Sequence, residues 1–248
     1  MPRSTPNRLL AACALALCIA LAAVPAALAK GFKVDLRVVG KGSKVLTEKQ
    51  VATATTSIKT SPKATCFGKG TGGSGEKVSI KGNTAMGALA RASLSTPAIS
   101  PLLISDHFDF GLGLCGIGGS VGNSKLSWYL KIDHKSQLVS GDAAKIKAGD
   151  EVLWALAPYP YPNELVLQAP ARVSAGMPFT VRAFSYDEKG KSKPAAGVKI
   201  VGASGTTGSD GRATVTLGKP GLLGATKSGE IPAARVAVCV EGKCPAGH

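Results

Sequence analysis

Apolar and polar residues alternate along much of this chain. Phe32, Val34, Leu36 and Val38 alternate with Lys33, Asp35 and Arg37, the pattern of a strand with one buried face. Val51 to Ile58 is a second alternating run, and Val78 to Ile80, Leu102 to Phe110, Leu126 to Ile132 and Asp150 to Trp154 read as further strands. One segment breaks the period. Met86, Leu89, Ala90 and Leu94 recur at helical spacing, Asn83 or Thr84 can cap them, and Pro97 stops the helix. Beyond residue 163 only short strands are predicted: Leu165 to Leu167, Phe179 to Tyr186, Val198 to Val201, Arg212 to Leu217 and Arg235 to Val240. Turn signals such as Asp187-Glu188-Lys189-Gly190 and Ser209-Asp210-Gly211 stand between them.

Pro158-Tyr159-Pro160-Tyr161-Pro162 divides the chain. Alternate prolines hold the backbone extended and deny it sheet partners. The expected organisation is a domain over residues 30–158, a linker over 159–162, and a second domain over 163–248 with a short tail. Residues 1–29 are predicted to be a cleavable signal peptide. Arg3 and Arg8 supply a positive start, Leu9 to Val24 is nearly all apolar, and Ala27-Leu28-Ala29 is a small-residue cleavage site. The apolar run falls short of the ~20 residues a bilayer-spanning helix needs. No transmembrane segment is expected after its removal, and the protein is expected to be secreted, or retained at the cell envelope.

Composition sharpens this picture. Six cysteines are present, and Cys13 and Cys18 lie in the signal segment. Four remain, Cys66, Cys115, Cys239 and Cys244, an even number that suits two disulfides in an exported protein. Of three possible pairings, sequence neighbourhood favours Cys66 with Cys115 and Cys239 with Cys244. A zinc site would need C-x-x-C or nearby histidines, and neither spacing occurs. Cleavage removes two of the 30 Lys and Arg and none of the 15 Asp and Glu, leaving a net charge of about +13. The lysines are dispersed, so they read as solvated strand faces. The expected partner is a cell-envelope polymer or a small extracellular ligand; nucleic acid is not expected.

Catalytic motifs are weak. Gly111 to Gly116 matches G-x-G-x-x-G but does not join a strand to a helix, so it reads as a turning glycine loop held by Cys115. No P-loop ending and no G-x-S-x-G elbow occur. Asp106-His107, with Asp109 beside it, and Asp133-His134 are the candidate cation ligands. Neighbours on a strand point to opposite faces, so each pair needs a bulge or a strand end to converge. No catalytic residue, metal ligand or cofactor is assigned. Trp128 and Trp154 sit on apolar strand faces and are predicted to pack in a core against Met86, Leu89 and Ala90.

Ser127-Trp128-Tyr129-Leu130-Lys131-Ile132-Asp133, Gly141-Asp142 and Lys147 to Trp154 together resemble the C-terminal signature of transcobalamin C-terminal-like domains. The resemblance spans about Val34 to Pro158. It implies a β-grasp fold, a mixed sheet curled around one helix, and a ligand-binding role. Asp133-His134 stands where that family usually carries Asn-Gly. Pro194 to Val198 and Thr206 to Val215 resemble bacterial Ig-like modules, which imply a β-sandwich acting as a spacer or display unit. The fold class expected is thus α+β followed by all-β, a β-grasp-like domain plus an Ig-like sandwich. The function expected is non-enzymatic binding or adhesion. The alternatives are a cation-dependent hydrolase or enzyme subunit using the Asp-His pairs, and a structural envelope protein held by charge.

Overall fold

The alternation of the first strand holds for half its length and then stops. In the computed structural model, which describes residues 31–246, strand β1 (Lys33–Val39) exposes Lys33 and Asp35 but buries every residue from Leu36 onward. A strand buried on both faces loses its alternation. Something therefore covers the outer face of this sheet at one end only. The expected signal segment, residues 1–29, lies outside the described residues.

Strand β2 (Val45–Ala52) pairs antiparallel with β1. The chain then forms a hairpin of β3 (Thr56–Lys59) and β4 (Lys77–Ile80), and the helix α1 (Ala85–Ser93). The Thr84 hydroxyl caps α1 by accepting from the Gly87 N–H at 3.1 Å. Strands β5 (Leu102–Phe108), β6 (Gly111–Ile117) and β7 (Ser120–Val121) make a separate three-stranded sheet. Strands β8 (Ser127–Ile132), β9 (Lys135–Ser136) and β10 (Glu151–Ala157) return to the first sheet, whose order is β2-β1-β10-β8-β9. β10 runs parallel to β1, which is possible because a long crossover separates them. On the inner face of this sheet Val34, Leu36, Val38, Leu130, Val152 and Trp154 pack with Met86 and Leu89 of α1.

The second half consists of β11 (Glu164–Gln168), β12 (Arg172–Val173), β13 (Pro178–Tyr186), β14 (Ser192–Pro194), β15 (Lys199–Val201), β16 (Arg212–Thr216), β17 (Gly221–Thr226) and β18 (Val236–Val240). β13 is the hub of one four-stranded sheet, pairing with β11, β14 and β16; the other runs β12-β18-β17-β15. Both contribute to one apolar core that includes Leu165, Val181, Val198, Ile200, Leu223 and Val238. From Gly31 onward the chain forms one compact unit. The proline segment takes part in it: Tyr161 stacks on Tyr129 at 4.2 Å between centroids, and its hydroxyl lies 3.0 Å from that of Ser127.

The expectation of an α+β, β-grasp-like domain followed by an Ig-like sandwich is corrected. Among the described residues the protein is mostly β, with 45% strand against 7% helix, and α1 is the one α-helix. The chain between β2 and β8 is the reason. It does not simply wrap a helix but builds two further sheets, β3-β4 and β5-β6-β7. The Gly111 to Gly116 stretch is corrected too, since it is strand β6 and not a loop. Glycine serves there because rings sit on the backbone. A Cβ on Gly113 would meet Phe67 at 2.7 Å and Phe108 at 2.9 Å. The Val51 to Ile58 run is likewise two strands, β2 ending at Ala52 and β3 starting at Thr56.

Both disulfides form: Cys66 with Cys115, and Cys239 with Cys244. The first closes a loop of 49 residues, which on the chain-entropy account stabilises the fold by about 4 kcal/mol. The second staples a tight turn after β18. Trp154 is buried at 3% exposure against Met86, with Gly141 beneath its ring, whereas Trp128 is only half-buried. Trp154→Ala is therefore expected to cost about 3–5 kcal/mol and Trp128→Ala clearly less, measured by denaturant unfolding. Both rings pack on the same core, so equal losses would show that Trp128 is buried as deeply as Trp154.

Candidate functional site

Successive residues of a strand face opposite ways, so the outer face of the first sheet carries Asp35, Arg37 and Val39 of β1. In register beside them stand Glu151, Leu153 and Ala155 of β10, and then Lys131 and Tyr129 of β8. The second half covers one end of this face. Val39, Tyr129, Leu153, Ala155 and Ala157 form a small apolar cluster with Ile231, and Tyr161 packs against it. Arg37 and Lys131 flank Leu153 from the two neighbouring strands, so the same contact buries both cations, at 6% and 0% exposure.

Buried charge must be paired to be tolerated. The partner is Glu164, the first residue of β11, 1% exposed. Arg37 donates to its Oε1 and also to the Pro232 carbonyl. Lys131 Nζ lies 3.6 Å from Glu164 Oε2 and donates to the carbonyls of Tyr186, at 3.2 Å, and Asp187, at 3.1 Å. A third cation is available. His134 Nδ1 is 3.3 Å from Glu164 Oε2, while its Nε2 is 3.6 Å from Glu151 Oε2.

A strained turn brings His134 there. Asp133 and His134 are the two central residues of the β8–β9 hairpin, with φ of 48° and 67°. Such a turn prefers Asn-Gly, because a side chain in the left-handed region costs about 1 kcal/mol or more. The Asp133 carboxylate accepts from the Glu151 N–H at 3.0 Å and steadies the turn. The imidazole lies against the Tyr186 ring, 4.3 Å between centroids.

Electrostatics follow from this geometry. Burial opposes ionisation of Glu164, but His134, Arg37 and Lys131 outweigh it and hold the carboxyl below its ordinary range. Burial also opposes charging of His134; contact with Glu164 and the charge of Glu151 overcome it and raise its pKa. Lys131 is lowered, mainly by burial, with Glu164 pulling the other way. The ligand atoms of His134, Glu151 and Glu164 lie within 4.8 Å of one another, close enough for a divalent cation. However, the ring faces the two carboxylates with opposite nitrogens, and one ring offers one nitrogen to one ion. Arg37 and Lys131 would also repel a cation at Glu164. The arrangement fits an imidazolium held between two carboxylates better than a metal centre.

Where the covering half stops, the sheet face opens into a cleft of about 880 Å³, bounded by Asp35, Arg37, Glu48, Glu151, Leu222 and Arg235 among others. Of the cations at its walls, the two arginines are neutralised by carboxylates, whereas Lys49 meets only a neutral hydroxyl. Arg37 binds Glu164, Arg235 pairs with Glu48 at 3.1 Å, and Lys49 donates to the Thr96 hydroxyl at 3.2 Å. Asp35 has no ion pair among the described residues, and Glu151 has His134 and is half exposed.

The predicted Asp-His residues are separated in role. Asp106 accepts from the Ser74 N–H at 2.7 Å and hydroxyl at 2.6 Å, which ties down the Gly-rich loop and holds its pKa low. His107 is exposed and edge-on to Phe108, and Asp109 lies exposed at the β5–β6 tip. Only His134 joins the ionic cluster, with Asp133 holding its turn. Sequence pattern does not single out Arg37, Lys131 or Glu164. Alternation places the first two on a strand face that reads as solvated, and nothing local marks Glu164 as the residue that covers them.

The pH dependence has a definite sign. His134, with a raised pKa, adds stability that is full below its ordinary value of 6.5 and is lost as pH rises through the folded value. Glu164, with a lowered pKa, adds stability present above its ordinary value of 4.5 and lost as pH falls through the folded value. The unfolding midpoint should therefore be highest between about pH 4.5 and 6.5, and His134→Asn should flatten the decline on the alkaline side. An unchanged profile in that variant would remove His134 from the cluster. Arg37→Met should cost about 3–5 kcal/mol in denaturant unfolding, because it strips the buried Glu164 of the cation that hydrogen-bonds it and leaves only Lys131 and His134. A cost near zero would mean that water reaches Glu164. No protein-family model matches the chain, and no curated protein matches it.

Proposed function

We propose that this is an exported, non-enzymatic binding or adhesion protein whose cleft takes a ligand bearing a cationic amino group. The observation that carries the reading is the charge balance at the cleft. Arg37 and Arg235 are neutralised by Glu164 and Glu48, while Asp35 has no ion pair among the described residues and Glu151, contacted by His134 on one side, is half exposed. In a chain of strongly positive net charge, the lining is close to neutral, Asp35, Glu48, Glu151 and Glu164 against Arg37, Lys49, His134 and Arg235, so a cation can enter here that the rest of the surface repels. Leu222 adds apolar surface at one wall.

Other features support export. Disulfides persist in oxidising compartments, and two are present. No described helix is long and apolar enough to cross a membrane. The signal-like pattern of residues 1–29 points the same way. The resemblance of Val34 to Pro158 to transcobalamin C-terminal-like domains agrees with a binding role. The ionic cluster serves this role by holding the second half over the sheet, so that β17 and the segment before β18 form the far wall.

The test compares amine-bearing and neutral versions of one polymer, such as deacetylated and acetylated N-acetylglucosamine oligosaccharides, on a glycan array. Retention of the amine-bearing form, weakened by salt, is expected. The Asp35→Asn/Glu151→Gln double variant should lose at least tenfold in affinity, and Asp35→Asn alone, which breaks no ion pair among the described residues, should weaken binding at an unchanged melting temperature. Equal binding of both forms, or binding untouched by the double variant, would overturn the reading.

A further inference from the structure

His134 lines the cleft, and its ring stands between two carboxylates of unequal access to water. Nδ1 is buried, 3.3 Å from Oε2 of Glu164, which is 1% exposed. Nε2 lies 3.6 Å from Oε2 of Glu151, which is half exposed. A neutral imidazole keeps one proton, and the partners of its two nitrogens decide where. Glu164 is held ionised beside Arg37 and is shut away from water, so the Nδ1 proton stays. The proton that leaves is the one on Nε2, which faces Glu151 and the cleft.

Loss of that proton changes the charge of the cleft. With His134 charged, the four carboxylates of the lining meet four cations. With His134 neutral, one negative charge is left uncompensated, and it falls at Glu151. The Nε2 lone pair and the Glu151 carboxylate are then two acceptors side by side with no hydrogen between them. An ammonium group satisfies both, since it carries three donors and a positive charge. Half exposed, the Glu151 side chain can swing outward to admit it. The other charges around the ring are engaged. Arg37 of β1 and Lys131 of β8 are paired with Glu164, and Asp133 accepts from the Glu151 N–H. Asp187, after β13, accepts from the N–H groups of Lys189 and Lys191, and Tyr186 offers its ring. Among these groups His134 is the one whose ordinary pKa lies between 5 and 8.

We propose that the ligand's ammonium group takes the place of the Nε2 proton, donating to His134 Nε2 and to the Glu151 carboxylate, so that His134 gates the cleft by pH. The inference rests on the reading of the cleft as a site for cationic amines. Proton and ligand compete for one position. Affinity is therefore low while His134 is charged and rises as pH passes through its folded value, which lies above the ordinary 6.5. By the same linkage, bound ligand lowers the pKa of His134. A trimethylated ammonium carries the charge but no donor, and it cannot bridge the two acceptors.

The probe is a Gly-Lys-Gly peptide blocked at both ends, whose amine stays charged to about pH 10. It is titrated by calorimetry into the chain from Lys30 onward. Binding should be at least fivefold tighter at about pH 8.5 than at about pH 5.5. The His134 ring, followed by NMR, should titrate at lower pH with the peptide bound. His134→Asn, a residue that suits a turn at positive φ, should bind without that pH dependence. Trimethylation of the peptide's lysine should cost at least tenfold. A parent affinity that is level across this range, or a rise retained in His134→Asn, would overturn the inference and leave the amine reading in place. Equal binding of the trimethylated peptide would do the same. No binding of either peptide at any pH would overturn the reading and the inference together.

Discussion

Glu164 is a carboxylate taken almost wholly out of water, and the meeting of the two halves depends on what neutralises it. Its cations come from three places in the first half: Arg37 in β1, Lys131 in β8 and His134 in the turn after β8. None of these groups could be buried without the others, since an isolated ion in a protein interior costs several kcal/mol. Net stabilisation by such a cluster is modest. Its geometric demand is strong, however, because a slip of the second half across the sheet would leave charges unpaired. The apolar cluster of Val39, Tyr129, Leu153, Ala155 and Ile231 supplies adhesion, and the ions beside it set the register.

That register also makes the cleft. One sheet face serves two purposes along its length: covered at the end of Val39 and Ala157, open at the end of Asp35 and Glu151. The boundary falls at the ionic cluster, where His134 reaches from the buried carboxylate to the exposed one. A residue in that place needs two polar atoms facing opposite ways. Histidine supplies them, which accounts for a non-glycine residue at a positive φ where glycine would be less strained.

The β5–β6–β7 sheet obeys a different constraint. It shares the main core through Leu102, Ile104, Leu114 and Ile117, and is held besides by the Cys66–Cys115 bond, by aromatic rings lying on glycine, and by Leu103 over Gly116. Rings and glycines are complementary here, because a strand without side chains leaves the space that large neighbours fill. The consequence is a firm hairpin whose tip still shows its phenylalanines to the outside.

Much of this is legible in the sequence, and for local reasons. Strand alternation, the Thr84-capped helix, the Asp210-Gly211 turn and the cysteine pairings depend on residues close in the chain or few in number. The edge strand β2 escapes pattern reading because an exposed edge alternates weakly. Strand β6 escapes it because glycine's local preference is for turns, while its use there is set by Phe67 and Phe108 from elsewhere. The Asp-His pairs can be named as candidates, yet only packing separates Asp106, which ties a loop, from His134, which joins the ions. The cluster itself is beyond local reading. Arg37 and Lys131 alternate as solvated residues do, and Glu164 follows a proline segment that reads as a linker. Sequence pattern determines which face of a strand a residue occupies, since that depends on a period of two. Whether water or another sheet lies over that face is decided by tertiary structure, because burial is a property of what returns from far along the chain.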